Sequence, residues 1–424
     1  MKKTHSILSS ILALLLIATI CPAQTGVWQE LKPQNSPPPR DTYGMAEIGE
    51  GKAIIFGGGA VEPSILDDTW IYDYNENNWT QVNCDVHPSK RFDFCMARIT
   101  RNKVLFYGGV GDQPIYSDTW LFDLETMKWT ELKPAKNPGP RRAFCMAQLM
   151  ENKVVLFGGD SGYRCNDTWI YDITENNWTR VPLFIPDPMP PKCEHGMMAQ
   201  IDTGKVLFFG GWNAIKALDE TWLFDYSTMK WEKITPKDKP IPVSASSVAN
   251  INKNQVVLWG GEPNPNDSIA RTDTVWIFNL QKSNWFKIET SIILKARFYH
   301  SMVKLENDKI LLFAGSSLGG HLFNDSWLFT LQPNGVTENL TKNTQSSFLI
   351  QNNKAHIPTK FAGLSNWKLY DIYGKVVLES SQAGAWEQEN SYIDFDASGL
   401  ANGVYFLVVQ GGKKTEVIRL IVAR

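Results

Sequence analysis

Five cations recur at matching points along this chain: Arg40, Arg91, Arg141, Lys192 and Arg297, with Val243 where a sixth would fall. A guanidinium is a planar fork of donors that grips a carboxylate at two points. Cations brought to one mouth would therefore do one of two things. They would bind an anionic ligand such as a sugar acid, or pair with loop carboxylates such as Asp67, Asp112, Asp160 or Glu194 and fix the loops. Behind them come Tyr43, Phe94, Phe144, His195, Ser246 and His300, expected to line the same space. Tyr116, Tyr163, Trp212 and Phe323, in the intervening segments, offer faces for stacking on a sugar or peptide ring, or pack the loops together. No catalytic set is assigned, although Glu194 and His195 form an acid–base couple able to move a proton within hydrogen-bond reach of a substrate. There is no GxSxG, HExxH or phosphate-cradling glycine loop. The acids Asp68, Asp118, Asp167, Glu220 and Asp325, each two residues before a Trp, recur too regularly to be catalytic and are expected to hydrogen-bond a loop.

The elements that would position these residues form a six-fold repeat. Hydrophobic runs end in Gly57-Gly58, Gly108-Gly109, Gly158-Gly159, Gly210-Gly211, Gly260-Gly261 and the degraded Ala314-Gly315. Each is followed by a Trp: Trp70, Trp120, Trp169, Trp222, Trp276 and Trp327. A second Trp stands nine residues after five of these, at Trp79, Trp129, Trp178, Trp231 and Trp285. Short strands repeating every ~40–50 residues predict a β-propeller of four-stranded blades. Trp327 has no such partner, but Trp28 in Val27-Trp28-Gln29-Glu30-Leu31 matches the pattern. The expected fold is all-β, a six-bladed propeller over 24–331 closed by its N-terminal strand, which leaves no strand edge open where the two ends meet.

One repeat shows the physics. Arg141 to Leu149 reads as a small, apolar inner strand, and Val154-Val155-Leu156-Phe157 as a strand buried on both faces. Gly158-Gly159 turns the chain where blades crowd, Thr168 to Asp172 is the third strand and Trp178 to Val181 the outer one. A diglycine, an aromatic third strand and a Trp-bearing fourth strand resemble the kelch family over residues 26–331. The fifth copy departs, with Val243-Ser244-Ala245-Ser246 where the others begin with a cation. The turns between first and second strands and between third and fourth are short, so the long loops (59–67, 110–117, 160–166, 212–219, 262–272, 316–324) and the Pro-rich connectors 182–191 and 235–242 share one face. That face is the expected site. Arg297-Phe298-Tyr299-His300-Ser301 resembles the segment that gives a Tyr and a His to copper in galactose-oxidase-type propellers, but too few further ligands exist, and no cofactor or metal is expected.

Residues 1–23 read as a secretory signal peptide: Lys2 and Lys3, an apolar run from Ile7 to Ile20, then Cys21-Pro22-Ala23. No other stretch is apolar enough to span a membrane. The net charge of −2, without basic blocks, argues against nucleic acid as a partner. Of six cysteines, five lie beyond the leader (Cys84, Cys95, Cys145, Cys165, Cys193), an odd number without CxxC spacing, so buried free thiols are expected.

After Leu331 the repeat stops. Residues 332–347 are polar and read as a linker, and 348–424 as a small antiparallel β-sandwich. Leu369-Tyr370-Asp371, Gly374-Lys375, Leu400-Ala401-Asn402-Gly403-Val404-Tyr405-Phe406 and a strand running on to the last residues resemble the type IX (Por) secretion sorting domain. That resemblance implies recognition by the type IX machinery and a secreted or surface location on a Bacteroidetes-like Gram-negative bacterium. The leading expectation is a propeller that binds a glycan, peptide or protein through its long-loop face. The alternative is a carbohydrate-active enzyme such as the sialic-acid mutarotase-like isomerases found among exported kelch proteins, with Glu194 and His195 in acid–base roles.

Overall fold

The computed structural model describes residues 24–182, 187–263, 272–332, 347–350, 354–358, 366–371, 376–379, 392–400, 403–411 and 414–422. The proposed leader (1–23), nearly all of the linker, and parts of the 182–191 and 262–272 segments lie outside the described residues. Contacts divide the chain into one unit of Thr25–Gln332 and another that holds Pro333–Arg424.

The first blade is built from Gly44–Glu47, Lys52–Gly59, Ile65–Asp73 and Asn78–Val82, paired antiparallel in that order. The same four-strand meander recurs until six such sets are present among the described residues. The second strand Lys103–Tyr107 buries every residue after the first, as a continuous β-branched and aromatic run requires. The glycine pairs end these strands because there is no room for a side chain. At Gly58, with φ of 107°, an added Cβ would lie 2.6 Å from the Tyr43 Cβ and 2.7 Å from the Asp41 carbonyl oxygen.

The ring closes at its N-terminal strand. Thr25–Leu31 lies antiparallel on Ser326–Gln332, with Trp28 opposite Phe329 and Glu30 opposite Trp327. It therefore completes the sixth blade, and Thr25 and Gly26 also pair in parallel with Glu289 and Thr290 of the fifth. Neighbouring blades are stitched by the outer-strand Trp. Each indole N–H donates to a hydroxyl on the third strand of the preceding blade: Trp79 to Ser326, Trp129 to Thr69, Trp178 to Thr119, Trp231 to Thr168 and Trp285 to Thr221, at 2.9–3.2 Å. At the sixth junction Val275 holds the hydroxyl's position, and Trp28 packs on Trp259 and Phe329 with ring centroids 5.6 and 5.0 Å away.

The five cysteines among the described residues are free; Cys145, Cys165 and Cys193 are buried as expected, while Cys84 and Cys95 are half-buried. Burial pushes the Cys95 thiol up to about 11 and Cys193 up to about 12, so both stay protonated and unreactive near neutrality.

In the C-terminal unit Ser347–Ile350, Lys414–Val422, Gly403–Gly411, Asn366–Asp371 and Val376–Glu379 form a five-stranded sheet, and Lys354–Pro358 pairs with Tyr392–Asp396. Trp367, Leu369, Leu407, Val409, Ile418 and Leu420 make its core. The expected all-antiparallel pairing fails at one edge, where Ser347–Ile350 runs parallel to Arg419–Val422. The long stretch of chain between these two strands supplies the crossover that a parallel pair needs.

Candidate functional site

The arginines do not line the mouth. Arg40 is 0% exposed, and its two terminal nitrogens reach Asp68 Oδ1 and Oδ2 at 2.7 Å each. Arg91 grips Asp118 at 2.6 and 3.0 Å, Arg141 grips Asp167 at 2.9 and 3.2 Å, and Arg297 holds Asp325 in the same two-point manner. Each carboxylate also accepts the indole N–H of the Trp two residues on: Trp70, Trp120, Trp169 and Trp327, at 2.7–2.8 Å. A remaining guanidinium N–H caps the carbonyl of the first residue of the small pair, as Arg40 does for Gly57 and Arg141 for Gly158. Burial alone would raise the Asp167 and Asp325 carboxyls, but the arginine hydrogen bonds and charges outweigh it and hold both below the usual range.

The anion-binding expectation for Arg40, Arg91, Arg141 and Arg297 is thus corrected. A buried guanidinium needs a fixed counter-charge, and the acid before the blade Trp supplies it within the same repeat. The acids nearer the mouth pair elsewhere: Asp112 with Lys90, Asp160 with Arg142, Glu194 with Arg164. Tyr116 and Phe323 are corrected too. Their rings lie 3.7 and 3.9 Å from the Arg91 and Arg297 guanidinium carbons, so they cover structural cations and are not presented to a ligand. Lys192 is exposed and stands one residue early; Cys193 fills the arginine position of the fourth blade. His300 is 4% exposed with its ring 5.1 Å from Trp259, and burial, helped by the Arg297 charge, pushes it down to about 3. It is a neutral wall residue.

The mouth is built by the second residue after each arginine position: Thr42, Asp93, Ala143, His195, Ala245 and Tyr299. All six have φ between 49° and 56°. Each amide donates to the carbonyl of its counterpart in the previous blade. Asp93 donates to Thr42, Ala143 to Asp93, His195 to Ala143, Ala245 to His195, Tyr299 to Ala245, and Thr42 closes the circle on Tyr299, at 2.7–3.3 Å. A left-handed residue among neighbours that are not left-handed breaks the strand's alternation, and the six together ring a cavity of about 130 Å³ walled by Tyr43, Phe94, Phe144 and His300. One residue earlier, Asp41, Phe92, Arg142, Glu194, Ser244 and Phe298 bridge to Gly59, Val110, Asp160, Trp212, Glu262 and Ser316. Every long loop is thereby tied to the lead-in of its own inner strand.

The electrostatics of this mouth are acidic. Burial raises the Asp93 carboxyl, with Asp41 and Glu194 adding to the shift and His195 and Arg142 opposing it. Burial also raises Asp41, against the Thr42 hydroxyl, which donates to its carboxylate at 3.2 Å. The Tyr299 hydroxyl is raised first by burial and then by the charges of Asp93, Glu262, Asp41 and Glu194. The His195 ring meets Tyr299 edge-on at 5.2 Å. Of the expected stacking residues, Tyr163 is 71% exposed and Trp212 half-buried beside Glu194. Sequence reasoning placed His195 one position late, passed over Asp93 and weighed Tyr299 only within a copper-site resemblance. The signal available was position alone, the residue just before each Tyr43-like wall residue. No group of three or more His, Cys, Asp or Glu able to hold a metal is present among the described residues.

A ring of antiparallel four-stranded sheets tied by repeated Arg–Asp–Trp clusters is a β-propeller. The KLHDC2/KLHL20/DRC7 Kelch-repeats domain model matches residues 14–159 and 134–261, and the chain belongs to the kelch-repeat family. The secretion system C-terminal sorting domain matches residues 344–423, which marks the chain for type IX export and an extracellular or cell-surface location in Bacteroidetes-like bacteria. Curated relatives include an F-box/kelch-repeat protein of Arabidopsis thaliana, 27% identical over 42% of each chain. An acyl-CoA-binding domain-containing protein 5 of Arabidopsis thaliana is 22% identical over 50% of this chain and 31% of its own. Kelch domain-containing protein 3 of Bos taurus is 27% identical over 25% of this chain and 28% of its own. The chain spans less than half the length of these relatives. No helix among the described residues is long and apolar enough to cross a membrane.

Proposed function

We propose that this is an exported kelch propeller that binds a partner protein through its long-loop face, with the ringed mouth at the centre of contact. The carrying observation is the closed circle of six left-handed residues around the cavity, with the long loops bridged to it. Loops held this way are a rigid display surface. A segment of polypeptide suits the mouth better than a free glycan. The cavity of about 130 Å³ lies below the ~300–1,000 Å³ common for small-molecule sites. In this reading residues 1–23 are the leader for the inner membrane, and the C-terminal unit directs the outer-membrane step.

The sugar-isomerase alternative is less well supported. It calls for arginines facing a sugar carboxylate, and those arginines are buried against Asp68, Asp118, Asp167 and Asp325. Crosslinking of the exported full chain to cell-envelope proteins tests the proposal, with Tyr163→Ala and Trp212→Ala as loop variants. Crosslinks on the long-loop face that weaken in these variants are expected. Crosslinks confined to the short-turn face, or sialic-acid anomerisation accelerated in an NMR assay, would overturn it.

A further inference from the structure

Among the described residues the acids of the mouth outnumber the cations left free to pair with them. Asp41, Asp93, Glu194 and Glu262 all act on the Tyr299 hydroxyl. The nearby arginines are already engaged, Arg142 with Asp160 and Arg164 with Glu194. Asp93 sits on the ring itself and lines the cavity, and only the more distant charges of His195 and Arg142 oppose the rise of its carboxyl. Deeper in the same wall, both ring nitrogens of the buried His300 are unsatisfied. Asp93 is half-buried and His300 fully buried, and polar groups withdrawn from water without a fixed partner are costly and persist where something outside the chain completes them.

We propose that the mouth receives one positively charged side chain, a lysine or arginine, presented by the partner polypeptide. The inference rests on the docking-face reading above and specifies what enters the cavity. A ligand ammonium or guanidinium would meet Asp93 at the ring, with Asp41, Glu194 and Glu262 around it. The Tyr299 and His195 rings would flank the aliphatic stem and hold the charge by cation–π attraction. The space is that of a single side chain, and its apolar walls, Phe94 and Phe144, lower the local polarity and so strengthen the charge pairing.

The test uses the full chain and fluorescent nonapeptides of otherwise neutral sequence with one central Lys, Arg, norleucine or Glu. Lys or Arg peptides should bind at least tenfold more tightly than the norleucine peptide, and the Glu peptide should not bind. Asp93→Asn should lower Lys-peptide affinity ten- to a hundredfold without lowering the melting temperature. Glu262→Gln should lower it by a smaller factor, and the two variants guard against a folding defect in either. Norleucine binding equal to lysine, no binding of any basic peptide at millimolar concentration, or affinity untouched by both variants would overturn the inference. If envelope crosslinks still depend on Tyr163 and Trp212 while Asp93→Asn leaves them intact, the docking face stands and the cationic occupant falls. If neither kind of variant matters, both readings fall.

Discussion

The third and fifth blades have the same strand order but solve the same packing problem with opposite chemistry. In the third, Arg141 and Asp167 form a buried two-point ion pair that also takes the Trp169 indole and the Gly158 carbonyl. In the fifth, Val243 and Thr274 occupy those two positions, and both charges are gone together. The fourth blade is intermediate: Cys193 replaces the arginine, while Glu220 survives by pairing with Lys233 and the Trp222 indole. The comparison teaches that the cation belongs with its acid and not with a ligand. A buried charge is tolerable only with a partner, so the pair is kept whole, lost whole or, in the fourth blade, lost at the arginine with the acid re-paired to Lys233.

The largest expected effect breaks that unit. Asp167→Ala strands the Arg141 guanidinium, which is 3% exposed, and should cost about 3–5 kcal/mol in urea unfolding, the range for a broken buried pair. Thr274→Ala, at the equivalent place in the fifth blade, should cost under about 1 kcal/mol. Because Asp167 is held below its ordinary range, its contribution is fully present above the unfolded carboxyl pKa and is lost as pH falls through the folded value. The gap between Asp167→Ala and the unmutated chain should accordingly narrow in acid.

The comparison sharpens if the fifth blade's solution is moved into the third. The double variant Arg141→Val with Asp167→Thr removes both charges and should be more stable than Asp167→Ala alone, with a coupling of about 1–3 kcal/mol in a double-mutant cycle. A strictly additive double variant would show that the two side chains act independently. A smaller effect concerns the stitching between blades. Thr119→Val removes the acceptor of the Trp178 indole N–H and copies the Val275 junction. It should cost about 1–2 kcal/mol, because the indole is left buried and unsatisfied.

Much of this was legible in the sequence because a repeat fixes side chains at constant spacing. The glycine pairs, the two Trp columns and closure by Trp28 all follow from crowding between twisted sheets. The Arg–Asp partnership was harder to see. The acids of the long loops lie nearer the presumed mouth along the chain, whereas Asp118 reaches Arg91 only because the third strand doubles back beside the first residues of the blade. In the fourth blade Lys192 sat beside the arginine column and shifted the register by one. The six-residue circle left little trace in residue type. Thr, Asp, Ala, His, Ala and Tyr share a backbone conformation and no side-chain chemistry.

The smallest effect bears on the circle itself and has the opposite sign to Asp167→Ala. Burial, the largest influence on Asp93, raises its carboxyl above the ordinary value. A carboxyl raised on folding destabilises the native state above the folded pKa, and the penalty fades as pH falls through that value. Asp93→Asn keeps the shape and removes the charge, so it should raise the melting temperature at pH 8 by a few degrees. At pH 4 the gain should shrink, since the native carboxyl is then increasingly protonated and as neutral as the amide. Melting curves at the two pH values on the full chain make the measurement. A fall in melting temperature at pH 8 would mean that His195 and Arg142 already compensate the charge, and that the mouth, like the Arg–Asp pairs below it, is electrostatically closed.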